Sequence, residues 1–254
     1  MFENIIMKKL LFVSILLSLL SVTACKKKEA TAALNVNFTA EFNHQKIALK
    51  TEYTDSVGYK YKFEKFKYFL SNIRLVKEDN TEVKLADIVC VDYNVASTQL
   101  LQLQQLPVGK YTKLKFGVGL TPEQNNVLPA DAPANDPRQT FDELYWGWLK
   151  YIFIRVDGRS DVDGSNKFNN LLVYDVGTDE LYRAVEIEKN IELKEGDNTA
   201  TINLNINQIF RNGTNDIDIS NYEESYTHSD KTNNKNFDTA IKFADNFSKA
   251  FSFE

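Results

Sequence analysis

An antiparallel β-sandwich with a short C-terminal helix is the fold class that this 254-residue sequence predicts. Three observations carry the expectation. Apolar and polar residues alternate in several separate stretches, the period of half-buried strands. Glycine, asparagine, aspartate and proline fall between those stretches, as turns require. Only the last stretch repeats its apolar residues at helical spacing.

The first strand is read from Leu34, Val36, Phe38, Ala40 and Phe42. Next, Tyr59, Tyr61 and Phe63 share one parity, whereas Phe66, Tyr68 and Leu70 take the other. A bulge or break near Glu64-Lys65 explains that slip. Ile88 and Cys90 share a face, which makes Cys90 a buried, inert thiol. Leu114, Phe116, Val118 and Leu120 form another alternating run, and Val185, Ile187, Ile191 and Leu193 suggest a strand pair. Gly196-Asp197-Asn198 reads as a turn before Ile202, Leu204 and Ile206, which alternate with Asn203, Asn205 and Asn207. Phe237, Ala240, Ile241, Ala244, Phe247 and Phe251 then place one amphipathic helix over residues 238–250, lying against the sheet. Residues 121–144 stand apart: they hold Pro122, Pro129, Pro133 and Pro137, four of the five prolines. A loop this long in a compact domain is usually functional or disordered. It leads directly into Tyr145-Trp146-Gly147-Trp148, which contains both tryptophans.

The N-terminus carries Lys8-Lys9, an apolar run from Leu10 to Val22, and Val22-Thr23-Ala24-Cys25. Charged, apolar and small-residue regions in that order make a secretory signal. The run is too short to span a bilayer, which takes about 20 apolar residues. A cysteine at the cut is similar to the bacterial lipobox, which implies removal of residues 1–24 and lipid attachment at Cys25. Residues 25–33 then form a tether and residues 34–254 one domain. The segment Lys26-Lys27-Lys28 lacks an aspartate directly after Cys25 and points to the outer membrane, with the face left open. Hydrophobic residues at 43% suffice for a substantial core. A formal charge of −5 argues against a nucleic-acid partner.

Several chemistries are excluded. The chain has no phosphate-binding glycine loop, nucleophile elbow, CxxC or HExxH motif. No acid, base or nucleophile constellation is visible, so an enzyme is not expected. His44 and His228 are the only histidines, too few for a multi-histidine metal site in one chain. The acidic stretch Asp157–Gly164 lacks the glycine and terminal glutamate placement of a helix-loop-helix calcium site and reads as a strand-connecting turn.

Five segments taken in order resemble the MbnP-like domain family of secreted or lipid-anchored bacterial proteins. They are Phe66-Lys67-Tyr68-Phe69-Leu70-Ser71-Asn72-Ile73-Arg74-Leu75; Leu106-Pro107-Val108-Gly109 running into Phe116-Gly117-Val118-Gly119; Tyr145-Trp146-Gly147-Trp148 followed by Tyr151–Gly158; Asn207–Gly213; and Ile241–Ser248. The resemblance covers nearly the whole chain after Cys25. It implies a β-sandwich that can bind copper through histidines and an oxidised tryptophan, the oxidation being done by a diheme partner enzyme. Trp146 and Trp148 match the family's W-x-W motif. Core packing, or support of the proline segment, is the alternative role for both.

The chain departs from the family pattern at the imidazoles. Ala40 stands where many members place an early histidine, and Asp175 stands in Tyr174-Asp175-Val176-Gly177 where many have one. His44 and His228 read as exposed loop residues. Two functions follow as expectations. One is copper handling near Trp146 and Trp148, with Asp175, His44 or His228 as further ligands. The other is metal-free recognition of another envelope protein, such as an outer-membrane receptor, through the proline-rich loop.

Overall fold

The computed structural model describes residues 30–254. The signal segment and Cys25 lie outside the described residues. Two β-sheets enclose one apolar core. The first contains β1 (Thr31–Phe42), β2 (Gln45–Lys46), β6 (Leu100–Pro107), β12 (Gly196–Asn205) and β14 (Phe251–Phe253). The second contains β3 (Glu52–Thr54), β4 (Lys60–Val76), β5 (Glu82–Asp92), β7 (Gly109–Val118), β8 (Tyr145–Trp146), β9 (Lys150–Asp161), β10 (Asn170–Gly177), β11 (Arg183–Leu193) and β13 (Tyr226–Thr227). This is the β-sandwich that the alternation predicts. Antiparallel pairings dominate, and two pairings are parallel: β1 with β12, and β10 with β13. In both, the partners are separated by a long stretch of chain, as parallel pairing demands.

Strand β1 follows its period strictly: Leu34, Val36, Phe38, Ala40 and Phe42 are buried, and the residues between them face outward. Strand β4 is the centre of the second sheet. Its first half pairs with β3 and β9, and its second half with β5 and β7. Between the halves the register with β9 shifts at Phe63/Lys65, where Glu64 and Lys65 are exposed. That is the expected bulge, and it keeps Tyr61, Phe63, Phe66, Tyr68 and Leu70 all buried. Gly158 faces the bulge from β9, paired with Phe63. A Cβ there would lie 2.4 Å from the Lys62 carbonyl oxygen.

Three details differ from the sequence expectation. Val185, Ile187, Ile191 and Leu193 lie on one strand, β11, whose pairing with β7 shifts between Glu188 and Ile191. A bulge absorbs the extra residues where the alternation suggested two strands. Residues 121–144 are folded into short turns, including α1 (Pro122–Asn125) and α2 (Pro137–Thr140). Thr121 and Gln124 form a capping box on α1, and Asp136 caps α2. After α3 (Ile206–Phe210) and α4 (Tyr222–Ser225), the long helix α5 runs over Asn234–Lys249. It starts earlier than its apolar repeat does because Asn233 caps it. As expected, α5 lies against the core: Ala240, Phe243, Ala244 and Phe247 are buried, and the Phe243 ring stacks on Tyr174 at 4.1 Å. Cys90 is buried, and burial pushes its thiol well above the ordinary range.

The bulge yields a test. Gly158→Ala forces a methyl group against backbone that cannot rotate away, so a loss of roughly 1–3 kcal/mol is expected. Urea denaturation checks this, and an unchanged midpoint would contradict the close approach.

Candidate functional site

The tryptophans are joined by a tight turn. Trp146 ends β8 and pairs with Lys150, while Leu149 N–H donates to the Trp146 carbonyl at 2.9 Å. Trp148 therefore sits at a hairpin tip, 63% exposed. The two indoles still meet, with centroids 6.0 Å apart. Trp146 is half-buried at the edge of the core.

His228 joins them. The notional polar loop Ser225–Asp230 contains the short strand β13, and Tyr174 pairs with Thr227 across the parallel β10–β13 ladder. That register brings the next residues, Asp175 and His228, side by side. His228 Nδ1 lies 2.7 Å from Asp175 Oδ2. The ring packs 5.5 Å from Trp146 and edge-on to Tyr226 at 4.6 Å. His228 is thus 31% exposed at its side chain, and the exposed-loop expectation is corrected. Asn236 on α5 pins the segment: its Oδ1 accepts from the backbone N–H of His228 and of Asp230, each at 3.1 Å. Ser229 Oγ donates to the Asp175 carbonyl at 2.9 Å and accepts from Gly177 N–H at 3.1 Å.

Asp175 is 1% exposed. Arg155 faces it directly across β9–β10, with Nε 3.5 Å from Oδ1. Arg155 also reaches Asp157 at 3.2 Å, and Lys65 closes on Asp157 from β4 at 3.1 Å. Burial raises the Asp175 carboxyl above its ordinary range, with Arg155 pulling the other way. The Arg155 guanidinium lies 6.0 Å from the Trp146 ring centroid.

A cleft of about 390 Å³ opens beside the hairpin tip, lined by Trp148, Asn125, Lys150, Thr178, Asp179 and Lys231 among others. Asn125, buried in the proline-rich segment, fixes this wall. Its Nδ2 donates to Asp179 at 2.7 Å, and its Oδ1 accepts from Tyr151 N–H at 3.1 Å. The proline-rich segment is therefore a built part of the site. A larger open groove near Lys77 and Glu192 carries Tyr111 but neither tryptophan nor either histidine.

The donor set does not make a closed copper site. His228 is its single imidazole, and Asp175 is already engaged by His228 and Arg155. His44 stands in the β1–β2 turn, 91% exposed at its side chain and 3.8 Å from Glu41, with no contact to the tryptophans. Among the described residues no group of three histidine, cysteine, aspartate or glutamate side chains is placed to hold a metal. A soft Cu(I) ion prefers thiolate or imidazole to carboxylate. The structure thus brings together Trp146, Trp148, Asp175 and His228 and leaves His44 apart. Sequence periodicity could not find the His228–Asp175 contact, because a two-residue strand has no period to read.

The model of the MbnP family matches residues 31–232, a span that includes all four clustered residues. Among solved structures, MbnP from Methylosinus trichosporium is similar over 88% of this chain and 98% of that chain. The TM-score is 0.55 at 13% sequence identity, a likeness of fold. No curated protein is significantly similar.

The buried carboxyl gives a signed pH prediction. Asp175 holds its proton more tightly folded than unfolded, so its contribution to stability is largest in acid. That contribution is lost as pH rises from the ordinary carboxylate value of about 4 through the raised folded value. The stability of Asp175→Asn relative to the unsubstituted protein is therefore expected to improve between about pH 4 and pH 7. Denaturant titrations across that range test it, and the opposite slope would mean that Arg155 and His228 outweigh burial.

Proposed function

This chain belongs to the MbnP family, and we propose that it acts as a non-catalytic recognition protein of the bacterial cell envelope. It is anchored through a lipid on Cys25, with the outer membrane as the expected location. Its working face is the Trp146–Trp148 hairpin together with the folded proline-rich segment, and its partner is another envelope protein such as an outer-membrane receptor.

Trp148 is the observation that carries this reading. A large aromatic ring 63% exposed at the tip of a closed turn loses little freedom on binding. It is backed by a second indole and bordered by a polar cleft. Exposed tryptophan held on a rigid support is what dominates protein interfaces, where polar groups around it exclude water. The half-exposed Asp179 and Lys150 supply that polar rim.

Copper handling is the second reading, and the His228–Asp175 hydrogen bond favours it. A carboxylate on Nδ1 fixes the ring and leaves Nε2 as the open nitrogen, the usual preparation of a metal-binding imidazole. Trp146 lies beside that ring. An indole oxidised by a diheme partner, as the family resemblance implies, would supply further donors that this chain's unmodified side chains lack.

The two readings separate cleanly. Trp148→Ala is expected to weaken capture of a crosslinked envelope partner at least 10-fold, about 1.4 kcal/mol, while leaving the melting temperature unchanged. A Cu(I) competition titration, with intact mass measured on protein from its native host, is expected to show weak binding and an unmodified mass. Tight stoichiometric binding that is lost in His228→Ala, or a mass shift located to Trp146 or Trp148, would transfer the function to copper.

A further inference from the structure

Four carboxylates are buried among the described residues: Asp55, Asp92, Asp161 and Asp175. Three have a cationic partner. Asp55 accepts from Arg211 Nε at 2.9 Å, Asp92 meets Lys67 Nζ at 2.8 Å, and Asp175 lies between Arg155 and His228. Asp161, 1% exposed at the end of β9, has no Lys, Arg or His nitrogen within 4.0 Å among the described residues. Its Oδ2 accepts one bond, from Asn166 N–H at 2.8 Å. Its Oδ1 is buried with no partner at all. Removing a carboxylate from water without a counter-charge costs several kcal/mol, so such groups are found paired or on metals.

A second carboxylate follows two residues later in the same turn: Asp163 is exposed, and its Oδ1 accepts from Ser165 N–H at 3.0 Å. The turn Asp161-Val162-Asp163-Gly164-Ser165-Asn166 is rich in oxygen, and Gly164 turns it at φ +73°. Lys60 is the cation opposite Asp161 in the ladder, and its ammonium is given to Asn166 Oδ1 instead.

We propose that Asp161 and Asp163 form the carboxylate half of a calcium site at the β9–β10 connection, completed by loop oxygens and water. Hard divalent cations take six to eight oxygen ligands, of which only some need be carboxylates. The site differs from a helix-loop-helix calcium loop because strand β9 supplies its first ligand. With two carboxylates and an exposed Asp163, its affinity falls in the range of extracellular modules, a dissociation constant on the order of 10⁻⁴–10⁻³ M. Bound calcium braces the far end of the β9–β10 pair, whose near end carries Lys150, Arg155 and Asp175.

The test uses the full chain, stripped of metal by chelator and titrated with calcium chloride to about 10 mM, read by calorimetry and by thermal unfolding. Saturable heat and a rise of roughly 5 °C in the melting temperature are expected. Asp161→Asn, which keeps the shape and removes the charge, is expected to abolish both responses, and the surface substitution Asp163→Asn to weaken binding at least 10-fold. Lys60→Met is expected to preserve the calcium response. An unsubstituted protein that gives no heat and no shift overturns the proposal, and a more stable Asp161→Asn in that case would mean the two carboxyls share a proton. A response unchanged in Asp161→Asn overturns it as well. If Asp161→Asn fails to fold, an unchanged affinity in Asp163→Asn has the same force.

Discussion

Everything in the larger sheet depends on one strand changing face partway along. Strand β4 is 17 residues long and must serve two sets of neighbours, β3 and β9 first, then β5 and β7. A uniform strand of that length would put Phe66 and Tyr68 on the face opposite Tyr61 and Phe63, because side chains alternate along a regular strand. The irregularity at Phe63/Lys65 resets the alternation, so Tyr61 and Phe63 on one side of it and Phe66 and Tyr68 on the other reach the same core. Phe63 and Phe66 meet edge to face at 5.8 Å across it. The bare backbone of Gly158 is what allows the neighbouring strand to follow.

That arrangement determines what the site is made of. Once β9 lies beside the first half of β4, its outward residues Arg155 and Asp157 fall in line with Lys65 on one flank and Asp175 on the other. With His228 directly after β13, opposite charges and one imidazole form a row that runs from β4 across β9 and β10 to the end of β13. Lys65, Arg155, Asp157 and Asp175 are placed by ladder register, and His228 by the last pair of the β10–β13 ladder just before it. The tryptophan hairpin then rests on that row through Trp146, which touches both His228 and Arg155.

Much of this was legible in the residues, for reasons that can be stated. Strand β1 was legible because one of its faces is wholly buried and, from Asn35 on, the other carries only polar residues. The slip at Glu64-Lys65 was visible because large aromatic residues marked both parities. Helix α5 was readable from its apolar repeat, while its start was not, since the cap at Asn233 is a local hydrogen bond and not a period. The proline-rich segment misled because proline frequency says where regular structure stops. It does not say that Asn125 and Arg138 will be buried and bonded. At the site, Trp146 and Trp148 were found by motif and Asp175 by its departure from one. The role of His228 was hidden, because it depends on a parallel pairing between segments some fifty residues apart.

The smaller sheet has a consequence for the order in which this protein can come into being. Its inner strand β1 is the first described element, yet its long partner β12 lies more than 160 residues later, and β14 follows later still. A chain delivered N-terminus first must therefore leave one edge of β1 unpaired until β12 has arrived. Completion of the smaller sheet is therefore tied to the arrival of the last strands of the chain.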